Sequence, residues 1–304
     1  MAYAKRTAKR IMANWELYLL ISLPVAYFFI FRYMPMYGVI IAFKNFSAAQ
    51  GIWGSPWVGF EHFTAFFESY NFAQILKNTI FLSLLLLFIS FPVPILIALM
   101  LNQVAQQKLK RFIQTSIYAP YFISTVVLIG MVYVFLSPNS GIVNHIIVAF
   151  GGKPVLFMAQ AEWFRPIYVF TEVWQNTGFA SIIYLAALAG IDPHLHEAAV
   201  VDGANKWQRV RHIDLPGITP TILVLFILAI GNLMNIGFEK AFLMQTDINV
   251  ETSEIIPTYV YKIGIQRAQY SFSAAIGLFN AFINLVLLVI VNRTVKKLTG
   301  NGLF

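Results

Sequence analysis

The chain of 304 residues contains no cysteine, and only 11% of its residues are charged. The missing cysteine excludes disulfides, thiol catalysis and cysteine-based zinc sites. Soluble domains carry about 25% charged residues, so this chain has too few for an ordinary water-exposed surface. The sequence also lacks the GxxxxGK[ST] phosphate loop of many ATPases. If ATP drives a process in which this chain takes part, the ATPase must be a separate chain.

Apolar residues are abundant instead. Hydrophobic residues make up 59% of the chain, and 28 residues are phenylalanine. A soluble fold of this length could not bury so much apolar surface in one core, so lipid is the expected solvent. The net charge of +8 could favour nucleic acid, but the basic residues form short clusters beside apolar runs, which is typical of membrane topology. We therefore predict an all-α polytopic membrane protein and no nucleic-acid partner.

Six mostly apolar runs are each long enough to cross a bilayer as a helix. They lie at 15–34, 76–101, 113–136, 165–189, 218–238 and 272–292. Pro24 and the sequence FPVP from Phe91 to Pro94 predict bends, while Pro120 leaves open whether an interfacial helix precedes the third span. The sequence shows no obvious internal repeat. We expect residues 1–304 to form a single transmembrane domain, with its first span uncleaved because no small-residue cleavage site closes that long run.

The distribution of lysine and arginine predicts the orientation of these spans. With a cytoplasmic N-terminus, 13 of the 21 basic residues fall in inside segments, and these segments are shorter and more densely basic than the outside ones. The positive-inside rule then places both termini and residues 190–217 in the cytoplasm, with 35–72, 137–164 and 240–271 outside. The outside sequence GSPWVGFEHFTAFF is expected to form an interfacial helix.

A polar interruption separates the fourth and fifth apolar runs. Asp192 suits a helix N-cap and Pro193 the first helical position, so a short helix is predicted from Pro193 to about Val201. Gly203 can adopt the positive φ that ends such a helix.

A second amphipathic stretch follows, with Trp207, Val210 and Ile213 on one side, and Pro216 is expected to end it and to start the next span. The residues alone fit either an interfacial anchor or a docking surface.

The sequence EAAVVDGANKWQRVRHIDLP, residues 197–216, resembles the EAA loop of ABC importer permeases. That motif is Glu-Ala-Ala, three residues, Gly, nine residues, and Ile-x-Leu-Pro. The spacing agrees throughout, and the matching residues are Glu197, Ala198, Ala199, Gly203, Ile213, Leu215 and Pro216. Asp202 and Ala204 flank the glycine as in the carbohydrate-uptake branch. The resemblance extends over about residues 10–300, through sequences such as YAPYFISTVV and SPNSGIVN.

This resemblance implies a type I ABC importer permease in a bacterial cell membrane. Such a subunit passes oligosaccharides from an extracellular binding protein into the cytoplasm. The implied partners are a second, related permease in a heterodimer and two cytoplasmic ATPases that bind ATP and Mg. The chain itself is expected to have no catalytic residue and no cofactor. The loop 190–217 would be the coupling helix that docks into a cleft on an ATPase, where Asp202 either contacts the ATPase or caps the following backbone.

Polar and aromatic residues within the apolar runs are candidates for the sugar path, because intramembrane polar groups are often functional. Asn232, Asn235 and Glu239 are predicted to share one face of span five. The other candidates are Glu172, Gln175 and Asn176 in span four, Asn280 and Asn284 in span six, and the rings of Trp174, Phe179 and Phe238. Hydrogen bonding and close packing between helices, with Gly231 and Gly277 as small-residue contacts, remain the alternative for each.

Two other classes fit the sequence less well. A secondary transporter or channel would call for paired intramembrane charges or inverted repeats, and Glu172 alone gives it little support. A membrane enzyme would call for clustered ligands or carboxylates. The acidic residues Asp192, Glu197, Asp202 and Asp214 are spread over two helices, and His194-x-His196 supplies only two ligands, so no metal site is expected. The sequence leaves the sugar open, with uronate-containing oligosaccharides among the possibilities.

Overall fold

The structure, a computed structural model, describes residues 13–300 and Gly302, and that part of the chain is helical with no strand. It packs as two compact units, residues 13–67 with 263–278 and residues 68–262 with 279–300. Four helices are long and apolar enough to cross a membrane. Two bent helix pairs bring the number to six if each pair is one span. This confirms the predicted all-α polytopic membrane architecture.

The first unit begins with a helix longer than the predicted span. Helix α1 runs from Trp15 to Phe43, through Pro24, with a π turn at Phe29–Tyr33 and a 3-10 helical end. No residue of Trp15–Phe28 is buried, as suits a segment solvated by lipid. The short helices α2 (Gly51–Gly54) and α3 (Glu61–Phe67) follow, so the expected helix in the outside loop is present.

The second unit is built around helices α4 (Phe72–Asn102) and α8 (Ala161–Ala189). A π turn at Leu86–Ser90 directly precedes Pro92 in α4, where the sequence predicted a bend. Gly178 of α8 lies against the backbone of the helix that contains Ile117. A Cβ at Gly178 would stand 1.9 Å from the Ile117 carbonyl oxygen. Only glycine permits this approach.

The third predicted span, 113–136, is not one straight helix. The chain forms an amphipathic helix α5 (Gln107–Phe122), and then α6 (Thr125–Phe135) at 98° to it. The break falls at Ile123 and Ser124, just after Pro120, and the Ser124 hydroxyl caps α6 by accepting from the Val127 N–H at 3.4 Å. The alternative that Pro120 left open, a separate amphipathic helix before the span, is what the structure shows. Helix α7 (Ile142–Ala149) follows.

The polar interruption forms helix α9 (Pro193–Val201), bent by 73° from α8. Helix α10 then runs from Lys206 to Gly231. Pro216 was predicted to end the second amphipathic stretch and to start the next span. The first part was wrong, whereas the proline does lie in the first turn of the α-helical segment Leu215–Gly231. A π turn at Val210–Asp214 precedes Pro216, and the helix continues through the proline, which sits in the first turn of the next α-helical segment and needs no N–H partner there.

The fifth span was predicted to reach residue 238, but α10 ends at Gly231. Residues 232–237 are non-helical, consistent with the poor helix propensity of Gly231, Asn232 and Gly237. The remaining helices are α11 (Phe238–Met244), α12 (Val250–Ser253), α13 (Ile256–Tyr261) and α14 (Tyr270–Thr299). Asn232, Asn235 and Glu239 therefore do not share one helical face, contrary to the prediction.

Candidate functional site

The caps of helix α9 agree with the prediction from sequence. The Asp192 carboxylate accepts the N–H of His194 at 3.0 Å, and Pro193 occupies the first turn. After Val201 the chain turns at Gly203, whose φ is +80°. A Cβ at this position would meet no atom within 4 Å, so backbone conformation, and not lack of space, makes glycine the suitable residue.

The start of α10 is fixed by a capping box that the sequence analysis missed. The Asn205 side chain accepts the Gln208 N–H at 2.9 Å, while the Gln208 side chain accepts the Asn205 N–H at 2.7 Å. The pattern Asn-x-x-Gln was the available signal for it. Caps on both sides of Gly203 make the turn between α9 and α10 a defined structure.

The residues of the Glu-Ala-Ala motif lie on the accessible side of α9. Glu197 and Ala198 are exposed, whereas Ala199 is half-buried. Ala199 and Ala204 line a cavity of about 250 Å³ together with Gln208, His212 and Ile213. The other motif residues, Leu215 and Pro216, are exposed on α10. Small side chains thus leave the α9–α10 turn open to close approach.

The two acidic residues of this turn differ in their partners. The Glu197 carboxylate lies 3.3 Å from Nδ1 of His194, with both side chains largely exposed. In the part of the chain that the structure describes, the Asp202 carboxylate has no hydrogen bond to the following backbone. The local-capping alternative for Asp202 therefore finds no support here, and the ATPase contact stays a prediction.

The non-helical segment 232–237 is held by side chains of the surrounding helices. The Ser83 hydroxyl donates to the Leu233 carbonyl at 2.5 Å, and the Tyr168 hydroxyl donates to the Gly237 carbonyl at 3.2 Å. The N–H of Met234 donates to the side-chain oxygen of Asn284 at 3.0 Å. A helix broken at membrane depth needs such partners, since lipid cannot satisfy the freed backbone groups.

The predicted amides consequently divide into two groups. Asn280 and Asn284 are buried in α14, and Asn280 donates to the side-chain oxygen of Asn235 at 2.9 Å. Asn232 and Asn235 are exposed in the non-helical segment. Asn232 lines one cavity of about 170 Å³ and a second of about 790 Å³, and the second also includes Phe179. Of these four amides, the pair Asn232 and Asn235 is the exposed one.

Glu172 is engaged by two side chains. The buried Lys240 ammonium lies 2.5 Å from its Oε2, and Asn176 donates to its Oε1 at 2.7 Å. Lys240 was not predicted to take part, because it lies 68 positions from Glu172 and no local pattern links the two residues. Both carboxylate oxygens are therefore committed to groups of the protein, which fits a packing role for Glu172 and Asn176.

The remaining candidates are one buried amide and three rings. Gln175 is buried and donates to the Ile123 carbonyl at 2.8 Å, which satisfies the backbone at the break between α5 and α6. Trp174 is exposed. Phe179 stacks on Tyr121 with centroids 3.9 Å apart, and Phe238 packs on Phe242 and Tyr261.

Comparisons with known proteins give the family. The model of the binding-protein-dependent transport system inner membrane component matches residues 90–300. Protein LplB of Bacillus subtilis (strain 168) is 43% identical to this chain, and the match covers 95% of this chain and 91% of the length of LplB. The polygalacturonan/rhamnogalacturonan transport system permease protein YteP of the same organism is 43% identical, over 99% of this chain and 94% of its own.

A solved structure agrees with this assignment. The bacterial alginate ABC transporter, in complex with an alginate pentasaccharide-bound periplasmic protein, contains a similar chain. The two chains superpose with a TM-score of 0.89 and are 41% identical in sequence. The match covers 97% of this chain and 99% of the chain in the alginate transporter.

The chain belongs to the family of binding-protein-dependent transport system inner membrane components. It is a permease subunit of an ABC importer, and ATP hydrolysis is carried out by separate ATPase partners. The predicted family and class are confirmed, and the interpretation as a secondary transporter or channel does not hold.

Proposed function

We propose that the turn between α9 and α10 docks into a cleft on a cytoplasmic ATPase and couples hydrolysis to transport. The observation that carries this proposal is the capped, exposed helix α9, which has no buried residue and is followed by Gly203 at φ +80°. Small residues let another surface approach a helix closely, and Ala198, Ala199 and Ala204 provide them. Two such ATPases, holding ATP and Mg, would serve this chain and a related second permease.

The orientation required for docking can be measured by cysteine labelling, because the native chain has no cysteine. We expect a cysteine replacing Asn205 to be protected from an impermeant thiol reagent added outside intact cells. A cysteine replacing Tyr70, which is 97% exposed in a loop predicted to be outside, should react. The prediction follows from the 13-to-8 distribution of basic residues between inside and outside. Outside labelling at position 205 would contradict it.

For the substrate, we infer an oligosaccharide that contains uronate units. The supporting observation is that two similar proteins act on such polymers: one bears the name of a polygalacturonan transporter and the other imports alginate. An extracellular binding protein would deliver this sugar to the permease. Four of the eight basic residues expected on the outer side do not carry the inference, since they are hydrogen-bonded or ion-paired within the protein: Lys44, Arg165, Lys240 and Lys262.

The proposed sugar path passes the break at 232–237. Discontinuous helices mark substrate sites in many transporters, because the exposed backbone and polar side chains face a cavity. Asn232 and Asn235 are exposed at this break, and Phe179 lines the same 790 Å³ cavity as Asn232. Amide groups can pair with sugar hydroxyls, while rings such as Phe179, Phe238 and Trp174 can stack on sugar faces.

Alanine substitutions separate this role from packing. Asn232→Ala is expected to lower uptake of a uronate oligosaccharide while the assembled complex and its basal ATPase activity persist, because, among the residues described, this exposed side chain bonds only the Leu228 carbonyl one turn back. Asn235→Ala should also lower uptake, but it removes the acceptor of the buried Asn280 amide, so some loss of assembled complex is expected with it. Asn284→Ala is the contrasting variant, since it removes a buried partner of the Met234 N–H and should lower the yield of assembled complex. Uptake assays in proteoliposomes, with gel filtration of each complex, make the comparison. Loss of assembly in Asn232→Ala would assign that residue to packing.

A further inference from the structure

Asp214 differs from the other acidic residues of the coupling loop, residues 190–217, because it is completely buried. Asp192, Glu197 and Asp202 are all exposed, whereas no part of Asp214 is accessible. It is the last residue of the π turn in α10 and occupies the unspecified position between Ile213 and Leu215 of the motif. A buried carboxylate is costly unless other groups satisfy it, so its partners define what it does.

Three partners from two other helices converge on this carboxylate. Gln103, directly after α4, donates to Oδ2 at 2.9 Å, and Asn102, the last residue of α4, donates to Oδ1 at 3.4 Å. His196 of α9 approaches Oδ1 through Nε2 at 3.2 Å. One side chain of α10 thus joins the predicted cytoplasmic end of α4 to the helix that faces the ATPase.

Helix α9 has little other means of moving the transmembrane helices. None of its residues is buried. Apart from the contact of His196, the polar side-chain contact described for residues 193–201 is the pair of His194 and Glu197. That pair is exposed and lies within the helix itself. The backbone joins α9 to α8 through Ile191. The Ile191 side chain packs closely on Gly217, where an added Cβ would stand 2.6 Å from the Ile191 Cδ1 atom. His196 therefore makes the polar side-chain contact from α9 to α10, and Asp214 extends it to α4.

We propose that His196 and Asp214 are positioning residues that transmit displacement of α9 to α4 and α10. The inference rests on the proposed docking of α9 on an ATPase, and it adds the route by which the motion leaves that helix. The Asp214 carboxylate is fully buried and costly to leave unsatisfied. Sliding of α9 along α10 would carry the His196 imidazole away from it, so this close contact resists sliding in a way that loose apolar contacts do not. The same carboxylate pulls on the end of α4, so both helices should move together.

The experiment uses the complete complex in proteoliposomes and measures sugar uptake per ATP hydrolysed. His196 is suited to substitution because its side chain is 26% exposed, unlike the fully buried Asp214. We expect His196→Ala to retain ATPase co-purification and basal hydrolysis but to lower uptake per ATP by about fivefold or more, the lower end of typical coupling between sites. His196→Gln should restore the ratio, because its amide can donate to Asp214. His194→Ala is the matched control on the same helix and should stay near wild type.

Each outcome decides a separate point. A wild-type ratio in His196→Ala would overturn the proposal, and so would an equal loss in His194→Ala, which would place the effect on the ATPase-facing surface. Failure of His196→Gln to restore the ratio would also count against a polar contact between position 196 and Asp214. If a cysteine at position 198 of the wild-type background does not cross-link to the ATPase, the proposed docking itself fails. That result is independent of the uptake ratio.

Discussion

Replacing Gly203 with valine is expected to abolish ATP-coupled uptake while leaving membrane insertion unchanged. Gly203 has a φ of +80°, and a β-branched residue in this region is strained by about 1–3 kcal/mol. That strain acts on the turn that orients Glu197, Ala198 and Ala199, so the docking surface should be displaced. Because the turn lies outside the apolar spans, the permease should still insert. Uptake and ATPase co-purification are measured on the same preparation.

Gly203→Asn is the matched control, because asparagine tolerates positive φ better than other non-glycine residues. No atom lies within 4 Å of a Cβ at this position, so the added side chain has room. We expect this variant to retain most of its uptake. Ala199→Trp, which fills the half-buried position beside Ala204, should block docking sterically in the same way as Gly203→Val disrupts it. Full uptake in both Gly203→Val and Ala199→Trp would return the loop to the role of an interfacial anchor.

Lys240→Met is expected to lower the stability of the assembled permease by about 1–3 kcal/mol, because it leaves the Glu172 carboxylate, which is 28% exposed, without its cationic partner. Lys240 is 5% exposed, and its ammonium lies 2.5 Å from the Glu172 carboxylate. The variant leaves that carboxylate with Asn176 as its hydrogen-bond donor. The measurement is thermal unfolding of the purified complex in detergent.

Two further variants sharpen this result. Adding Glu172→Gln to Lys240→Met removes the second charge and keeps an oxygen that can accept from Asn176, so the double variant should recover much of the loss. Lys262→Met interrupts the ion pair with Glu254, in which the lysine is 28% and the glutamate 15% exposed. It leaves a partly buried carboxylate of the same kind and should cost a similar amount. If Lys240→Met melts at the wild-type temperature, the pair does not stabilise the fold, and a role of Glu172 in the sugar path regains support.

Local chemistry allowed some elements to be predicted closely from the sequence. The short helix α9, its cap at Asp192 and the positive φ at Gly203 follow from neighbouring residues, and the structure has all three. The capping box of Asn205 and Gln208 is equally local and could have been found from its spacing. The position of α14 was also predicted from the length of its apolar run, because hydropathy is enough to identify a continuous membrane-spanning helix.

Other features depend on contacts between distant parts of the chain. The apolar composition continues past Gly231, so hydropathy could not show that α10 ends there, and the break is stable because Ser83, Tyr168 and Asn284 satisfy its backbone. The ion pair of Glu172 with Lys240 likewise joins residues that no sequence period connects. These contacts decide that Asn232 and Asn235 are exposed while Asn280 and Asn284 are buried.

Chemical cross-linking from α9 tests the central claim most directly. A single cysteine replacing Ala198 is small enough to leave the surface intact, and the rest of the chain offers no competing thiol. With a short thiol-to-amine cross-linker in the assembled complex, the account predicts a covalent product between position 198 and the ATPase. A cysteine replacing Glu239, exposed and next to the predicted outer end of the fifth span, should give none. An assembled complex that yields no ATPase product from position 198, or an equal product from position 239, would contradict the account.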